Sequence, residues 1–457
     1  MRIRNFKSWA DTGEMRLAPI TGLFGTNSSG KTSIIQALLL LKQTAESTDR
    51  AQVLNLGGSH ALVEFGTLPD ILHQHSVASF LDLAVGWQPE RPVSPVDPEH
   101  AGRNLFSASD LRFETTVRAI EGGGGYESRT VSFVYTLSSD TGESDPVELG
   151  MKPGPTIGHE IYAVGFEPKR AVGRPWPLPP PTKCYRFPDQ VFGYFQNTGF
   201  LADVQFAFEE MLAGVFYLGP LREYPRREYS WAGSRPSDMG KRGESAVDAL
   251  LASRTRDDRI SRGKGHPRVS LEERVAIWLR DLGLIDSFRV QPVAEGSTLY
   301  QVLVRRHRLA AEVPVTDVGF GVSQILPVLT LCYYAPRGST IVLEQPEIHL
   351  HPSVQAGLAD VIIDAVKHRG VQIMVESHSE HLLRRLQRRM AEEAITPDDT
   401  ALYFCESGKD GASKIRALEL DLFGNISNWP DDFFGNEIGE LASTVRARMA
   451  RQARKVS

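Results

Sequence analysis

One short stretch near the start of the chain has the residue types and spacing that bind phosphate. Residues 25–32 read Gly-Thr-Asn-Ser-Ser-Gly-Lys-Thr, between an apolar run at 20–24 and a helix-like run at 33–41. A glycine loop in this setting turns backbone N–H groups around phosphates, and the start of the helix adds partial positive charge. Lys31 would supply a full charge, and the Thr32 hydroxyl a ligand for Mg²⁺. The stretch predicts a nucleoside triphosphate site, formed by Gly25, Asn27, Ser28, Ser29, Gly30, Lys31, Thr32 and Ser33.

Acidic residues follow an apolar run in the last third of the chain. Residues 341–343 are Ile-Val-Leu, and Glu344, Gln345 and Glu347 come next. A carboxylate at the end of a strand can hold Mg²⁺ and its water shell. Thr32 and Glu344 are therefore the predicted metal ligands.

Two more segments suit anion binding. Residues 319–324 read Gly-Phe-Gly-Val-Ser-Gln and precede a predicted helix at 325–334, so that a glycine–serine loop lies at the start of a helix. A buried strand is predicted at 371–375, and His378 follows it. Contact with the γ-phosphate is one interpretation of His378, and an ordinary core histidine is the other.

The order of these segments resembles that of ABC-type ATPases, over roughly residues 1–75 and 285–420. The matching motifs are Walker A at 25–32, the signature loop at 319–324, Walker B at 341–344, the D-loop at 350–351 and the switch histidine, His378. The resemblance implies an α/β fold in which an ABC-type P-loop ATPase domain is split by a large α/β insertion. It also implies ATP and Mg²⁺ as cofactors and a homodimer or higher oligomer around the nucleotide. In such a dimer Gly321, Ser323 and Gln324 act on the nucleotide of the partner.

Two positions depart from the usual ABC pattern. Glu344 replaces the Walker B aspartate, and Gln345 occupies the position of the catalytic glutamate. An amide cannot accept a proton, although it can orient a water molecule. Glu347 is the alternative base. The predicted catalytic set is Glu344, Gln345, Glu347 and His378, and slow hydrolysis is expected.

Residues 344–352 (Glu-Gln-Pro-Glu-Ile-His-Leu-His-Pro) and 376–382 (Glu-Ser-His-Ser-Glu-His-Leu) resemble the bacterial OLD and Septu-type AAA ATPases. Residues 217–222, with Trp429 and the pair at 433–434, resemble a subgroup that has a short C-terminal module of unknown function. The resemblance implies a role in anti-phage defence beside a nuclease. About 40 residues after the fold are too few for a nuclease domain, so an effector in trans is expected. A RecF-like repair ATPase and a transporter nucleotide-binding subunit are the alternatives.

Composition sets the broad class of the protein. The 457 residues carry a net charge of −5, which by itself gives no sign of nucleic-acid binding. A basic, aromatic stretch at 222–242 and a basic tail at 446–455 are the places where nucleic acid would bind, and local ion pairs are the other interpretation. His349 and His351 fit the D-loop better than a metal site. No membrane span or signal peptide is recognisable, so a cytoplasmic protein is expected.

The chain divides into four predicted parts. They are an N-terminal ATPase lobe at 1–75, an insertion at 76–285, a C-terminal ATPase lobe at 286–420 and a C-terminal module at 421–457. Alternating residues around four glycines at 122–125 predict a β-hairpin. Helices are predicted near 201–212, 246–251 and 271–282, and paired strands at 288–293 and 299–304, where Pro292 favours an edge position.

Overall fold

The computed structural model describes residues 1–58, 61–96, 104–139, 145–171, 173, 176–255, 259–261, 263 and 265–430. The basic tail, the pair at 433–434 and most of the predicted module at 421–457 lie outside these residues. The strands are β1 (Arg2–Phe6), β2 (Trp9–Asp11), β3 (Ile20–Gly25), β4 (Leu81–Trp87), β5 (Asp110–Gly122), β6 (Gly125–Ser138), β7 (Val147–Pro153), β8 (His159–Val164), β9 (Val215–Leu218), β10 (Tyr229–Ser230), β11 (Ser287–Pro292), β12 (Leu299–Arg305), β13 (Val313–Pro314), β14 (Thr340–Glu344), β15 (Gln372–Glu376), β16 (Thr400–Ser407) and β17 (Ser413–Ala417). The helices are α1 (Lys31–Glu46), α2 (Leu68–Ile71), α3 (Asp189–Tyr194), α4 (Leu201–Ala213), α5 (Ala246–Arg254), α6 (Leu271–Asp281), α7 (Phe320–Tyr334), α8 (Pro352–Asp364) and α9 (Glu380–Ala391).

A six-stranded sheet lies under the nucleotide motifs. Its order is β17–β16–β3–β15–β14–β9, and only β17 runs antiparallel to its neighbour. The registers pair Leu343 with Leu218, Glu344 with Glu376, and Glu376 with Leu23. The carboxyl ends of β3, β15, β14 and β9 therefore meet at one edge, where ligands bind in open α/β sheets.

An antiparallel seven-stranded sheet has the order β2–β1–β4–β5–β6–β7–β8. The predicted hairpin is confirmed, because β5 and β6 pair from Asp110 and Ser138 to Gly122 and Gly125. A small sheet contains β10, β12, β11 and β13, and Pro292 lies on its edge strand β11 as predicted. The predicted α/β class is confirmed.

Two hydrophobic cores cover the faces of the six-stranded sheet. Strand side chains alternate between faces, so Val342 packs in one core while Ile341 and Leu343 pack in the other. The first core also holds α1, α4 and the seven-stranded sheet, and the second holds α5 to α9. Helix α1 is thus buried between two sheets.

Strands from residues 76–285 hydrogen-bond with both predicted ATPase lobes. Strand β4 pairs with β1, and β9 pairs with β14. The division at 75/76 and 285/286 stays a prediction.

The start of α7 corrects one sequence prediction. The helix begins at Phe320, so Gly321, Ser323 and Gln324 lie within its first turns and not in a preceding loop. Gly319 is extended (φ −61°, ψ 154°) and ends the connection. The Ser323 hydroxyl donates to the Phe320 carbonyl oxygen at 2.8 Å, so this side chain is held within the first turn of the helix.

Among the described residues, no helix is both long enough and apolar enough to cross a lipid bilayer.

Candidate nucleotide-binding site

The loop at 25–30 has a backbone that needs glycine at two positions. Gly25 has φ 135° and Gly30 has φ 88°. A Cβ at Gly25 would lie 2.0 Å from the Cys405 carbonyl oxygen, and one at Gly30 would lie 2.6 Å from the Ser8 and Ser413 hydroxyl oxygens. The loop therefore leaves β3 in close contact with the backbone of β16. It enters α1 through Gly30, whose conformation is left-handed.

Lys31 and Ser29 face inward from this loop. Lys31 is only 3% exposed, and its Nζ donates to the carbonyl oxygens of Gly25 (3.1 Å) and Thr26 (2.7 Å). Burial lowers the pKa of Lys31. Ser29 is 1% exposed, and its Oγ has no hydrogen-bond partner. A buried hydroxyl without a partner and a buried ammonium within one loop fit an oxygen-rich anion such as a phosphate.

The other loop residues differ in exposure. Asn27 and Ser28 are exposed, and Ser28 has a positive φ of 59°. Ser33 is buried, and its N–H donates to the Gly30 carbonyl oxygen at 3.0 Å in the first turn of α1.

Two buried carboxyl groups, those of Glu344 and Glu376, lie beside Thr32 at the edge of the sheet, and a third, that of Glu347, follows β14. Glu344, Glu347 and Glu376 are 5%, 6% and 2% exposed. The Thr32 hydroxyl lies 2.9 and 3.1 Å from the two Glu376 carboxylate oxygens, to which it donates. The Tyr217 hydroxyl donates to Glu344. The predicted ligands Thr32 and Glu344 thus lie in one polar cluster with Glu376.

Burial is the main cause of the perturbed pKa values in this cluster. It raises the pKa of Glu376 to about 7, and the charge of Glu344 adds to the effect. Burial also raises the pKa of Glu344 and of Glu347. Carboxyl groups with raised pKa values are typical of sites that bind a cation or move a proton.

Gln345 and Glu347 make different contacts. Gln345 has a positive φ of 44°, its backbone N–H donates to the Glu376 carbonyl oxygen at 2.8 Å, and its Nε2 lies 3.5 Å from Glu376 Oε1. Glu347 Oε1 accepts a hydrogen bond from the His378 N–H at 2.7 Å, and Glu347 Oε2 is buried without a partner. The amide is therefore turned toward Glu376, whereas Glu347 keeps a free acceptor.

His378 lies at the rim of the site. It is exposed, it hydrogen-bonds with the Gly25 backbone, and partial burial together with the Lys31 charge lowers its pKa. The His351 ring accepts from the Ser353 N–H at 3.3 Å and so caps α8. Within the described ranges, no three His, Cys, Asp or Glu side chains are grouped as metal ligands, and this includes His349 and His351.

Gly321 lies near the side chains of Leu284 and Leu350, which hold the nearest atoms to a Cβ placed there. Ser323 and Gln324 are 7% and 9% exposed.

Sequence reasoning missed three residues of the site: Glu376, Tyr217 and Arg222. Glu376 ends a strand in register with β14, Tyr217 lies within β9, and Arg222 follows β9. The sequence feature that could have identified these residues is that each lies at or close to the end of a buried strand. Their importance depended on which strands are neighbours in the sheet, and this pairing is not local in the sequence.

Arg222 begins the basic stretch at 222–242, yet its side chain is buried and not part of an accessible basic surface. It is 7% exposed, and burial lowers its pKa to about 10. Further along the stretch, the interpretation as local ion pairs is supported: Arg226 and Arg242 pair with Glu223, and Arg227 pairs with Asp317.

A comparison with known protein families covers the signature segment, Walker B and His378. Residues 282–383 match the family described as AAA ATPase domain, and residues 395–443 match one described as protein of unknown function (DUF3696). No curated relative matches the chain in sequence.

Three solved structures are similar over most of the chain. The SmcHead bound to the C-winged helix domain of ScpA has 11% identity, covers 92% of this chain and 97% of that chain, and has a TM-score of 0.45. The SMC head domain from Thermotoga maritima has 12% identity, coverage of 92% and 97%, and a TM-score of 0.36. The Smc head domain with an extended coiled coil derived from Pyrococcus furiosus, bound to the C-terminal domain of ScpA, has 10% identity, coverage of 92% and 95%, and a TM-score of 0.42. The family match, and not these likenesses, connects Glu344, Glu376 and His378 with an AAA ATPase domain.

Proposed function

We propose that this chain is an ATP-binding, slowly hydrolysing ATPase of the ABC class. The observation that carries the proposal is the meeting of Thr32, in the loop at 25–33, with the buried acids Glu344 and Glu376 at one edge of the six-stranded sheet. The match of residues 282–383 to an AAA ATPase domain supports it.

The residues present fit Mg²⁺ bound with the nucleotide. Mg²⁺ takes oxygen ligands and is held by one or two carboxylates together with phosphate oxygens and water. Thr32 and Glu344 would hold it, and the ion would neutralise charge on the phosphates. Lys31, Ser29 and the loop N–H groups would hold the phosphate chain.

Slow hydrolysis follows from the residues near the attacking water. The Gln345 amide cannot accept a proton, and its side chain is turned toward Glu376. Glu347 has a free, buried oxygen and is the competing base. General-base assistance is typically worth about 10²- to 10⁴-fold, so a site without an efficient base keeps ATP bound for long periods.

The wider role is that of a sensor subunit in anti-phage defence. The resemblance of residues 344–352 and 376–382 to OLD and Septu-type ATPases supports this role. The chain would form a homodimer or higher oligomer around ATP, with Gly321, Ser323 and Gln324 acting on the nucleotide of the partner. A nuclease or other effector protein in trans would carry out the defence.

Lys31→Ala tests nucleotide binding and dimerisation together. The native protein should bind ATP and gain mass on sizing when ATP is added, and Lys31→Ala should do neither, because the loop loses its only charged side chain. The exposed Lys409→Ala is the matched control. Unchanged ATP affinity in Lys31→Ala would refute the site, and the same mass with and without ATP would refute ATP-dependent pairing.

The same preparation tests where the nuclease lies. The purified chain should not cut DNA or RNA with Mg²⁺ or Mn²⁺. Cleavage that survives replacement of Glu344 would place a nuclease centre in this chain and refute the effector in trans.

A further inference from the structure

Arg222 is a buried cation with an unsatisfied donor. It is 7% exposed, its Nη2 donates to the Glu344 carbonyl oxygen at 3.4 Å, and its Nη1 has no hydrogen-bond partner. Burying a charged group is costly unless it is hydrogen-bonded, and although the charges of Glu344 and Glu347 act on this guanidinium, neither carboxylate accepts a hydrogen bond from Nη1. A guanidinium in this condition is suited to an anionic ligand.

The sheet places Arg222 on the side of the acids. Strands β9 and β14 are parallel and in register at Leu218 and Leu343. Glu344 is the last residue of β14, and Arg222 comes four residues after the end of the neighbouring strand β9. Tyr217, on the same strand as Leu218, donates its hydroxyl to Glu344. The connection after β9 therefore reaches the proposed Mg²⁺ ligands directly.

Glu347 has a buried acceptor without a partner, whereas Arg222 has a buried donor without one. Its Oε2 is buried and lacks a donor, while Arg222 Nη1 lacks an acceptor. Glu347 interacts electrostatically with both Lys31 and Arg222. The missing partners are thus an acceptor for the guanidinium and a donor for the carboxylate. A terminal phosphate with a water molecule beside it supplies both.

We propose that Arg222 donates to the γ-phosphate of the bound nucleotide and makes the site prefer a triphosphate to a diphosphate. The inference rests on the proposed function, since it assigns a subsite within that nucleotide site. An arginine supplied by the same chain can stabilise charge on a transferring phosphoryl group, and arginine–phosphate bonds are charge-assisted. ADP lacks the phosphate that this side chain would contact.

The preference for ATP over ADP is the readout, because a residue that only supports the fold would change both affinities together. We would measure equilibrium binding of ATP and of ADP, each with Mg²⁺, to the full chain and to Arg222→Gln. The expected result is a loss of about 10- to 100-fold in ATP affinity, with ADP affinity unchanged within about twofold. The control is Arg226→Gln, because Arg226 is exposed, pairs with Glu223 and follows the same strand. It should leave both affinities unchanged.

Several outcomes would overturn the assignment. Equal losses for ATP and ADP in Arg222→Gln would show a structural role, and no loss for ATP would show that the side chain does not reach the phosphate. If Arg222→Gln does not fold, Arg222→Lys gives the same test: it keeps the charge but loses the planar fork, so the ATP preference should fall while ADP affinity stays. Retention of the full preference in Arg222→Lys would refute a guanidinium–phosphate contact. A native protein that binds neither nucleotide would instead refute the proposed function itself.

Discussion

Removal of the Glu376 charge should stabilise the nucleotide-free protein at alkaline pH. Glu376 is 2% exposed, and burial with the nearby Glu344 charge raises its pKa from 4.5 to about 7. The folded protein therefore holds this proton more tightly than the unfolded chain does. The contribution of protonated Glu376 to the free energy of unfolding is fully present below about pH 4.5. It falls as the pH rises to about 7 and stays at the lower level above that.

The size of the effect follows from the width of that pH window. Each pH unit between the two pKa values is worth about 1.4 kcal/mol, so ionised Glu376 costs the folded state about 3 kcal/mol above pH 7. In Glu376→Gln the amide oxygen can still accept from the Thr32 hydroxyl, so that contact is retained. We expect a gain of about 2–3 kcal/mol in the free energy of unfolding at pH 8, and almost no gain at pH 4.5.

Urea unfolding of both proteins at the two pH values, without Mg²⁺ or nucleotide, measures this difference. Glu121→Gln is the control, because Glu121 is an exposed glutamate on the β5–β6 hairpin and should show no pH-dependent gain. A Glu376→Gln protein that is no more stable than the native protein at pH 8 would refute the reasoning. The same holds for an equal gain at both pH values, because packing and not charge would then be responsible.

Two further predictions concern ATP hydrolysis and the stability of helix α1. Gln345→Glu should raise ATP turnover, Gln345→Ala should lower it modestly, and Glu347→Gln should keep measurable turnover in a steady-state phosphate-release assay. Loss of all turnover in Glu347→Gln, with no change in Gln345→Glu, would assign the base to Glu347 and refute the slow-hydrolysis argument. Lys183→Met should lower the free energy of unfolding, measured by urea unfolding, by about 2–4 kcal/mol. The Lys183 Nζ donates to three carbonyl oxygens at the end of α1, those of Thr44 (2.8 Å), Ala45 (3.1 Å) and Ser47 (2.7 Å). The exposed Lys409→Met is its control, and a loss no larger than that of this control would show that Lys183 does not stabilise the helix end.

Local features of the site were predictable from local sequence. The loop at 25–32 combines a strand, two glycines with positive φ and a helix start within a few residues, so its geometry depends on nearby chain. The β5–β6 hairpin follows in the same way from alternating residues around glycines.

Features that depend on strand order were not predictable. Glu376 contacts Thr32 only because β15 lies beside β3, and Arg222 reaches Glu344 only because β9 lies beside β14. The early start of α7 escaped prediction for another reason. Its first turns contain Gly321, and Pro327 lies inside the helix, and both residues usually mark a boundary.

The position of β3 in the sheet has a consequence for synthesis of the protein on the ribosome. Ile20–Gly25 is made among the first residues, yet its two partner strands are Gln372–Glu376 and Thr400–Ser407. At about 5–20 residues per second, the emerging phosphate loop waits tens of seconds for its first neighbour. The antiparallel sheet needs only residues up to Val164 and can form much earlier. During that interval α1 can bury its apolar side chains against the antiparallel sheet. The backbone N–H and C=O groups on both edges of β3 are still unpaired and can form hydrogen bonds with the wrong strand.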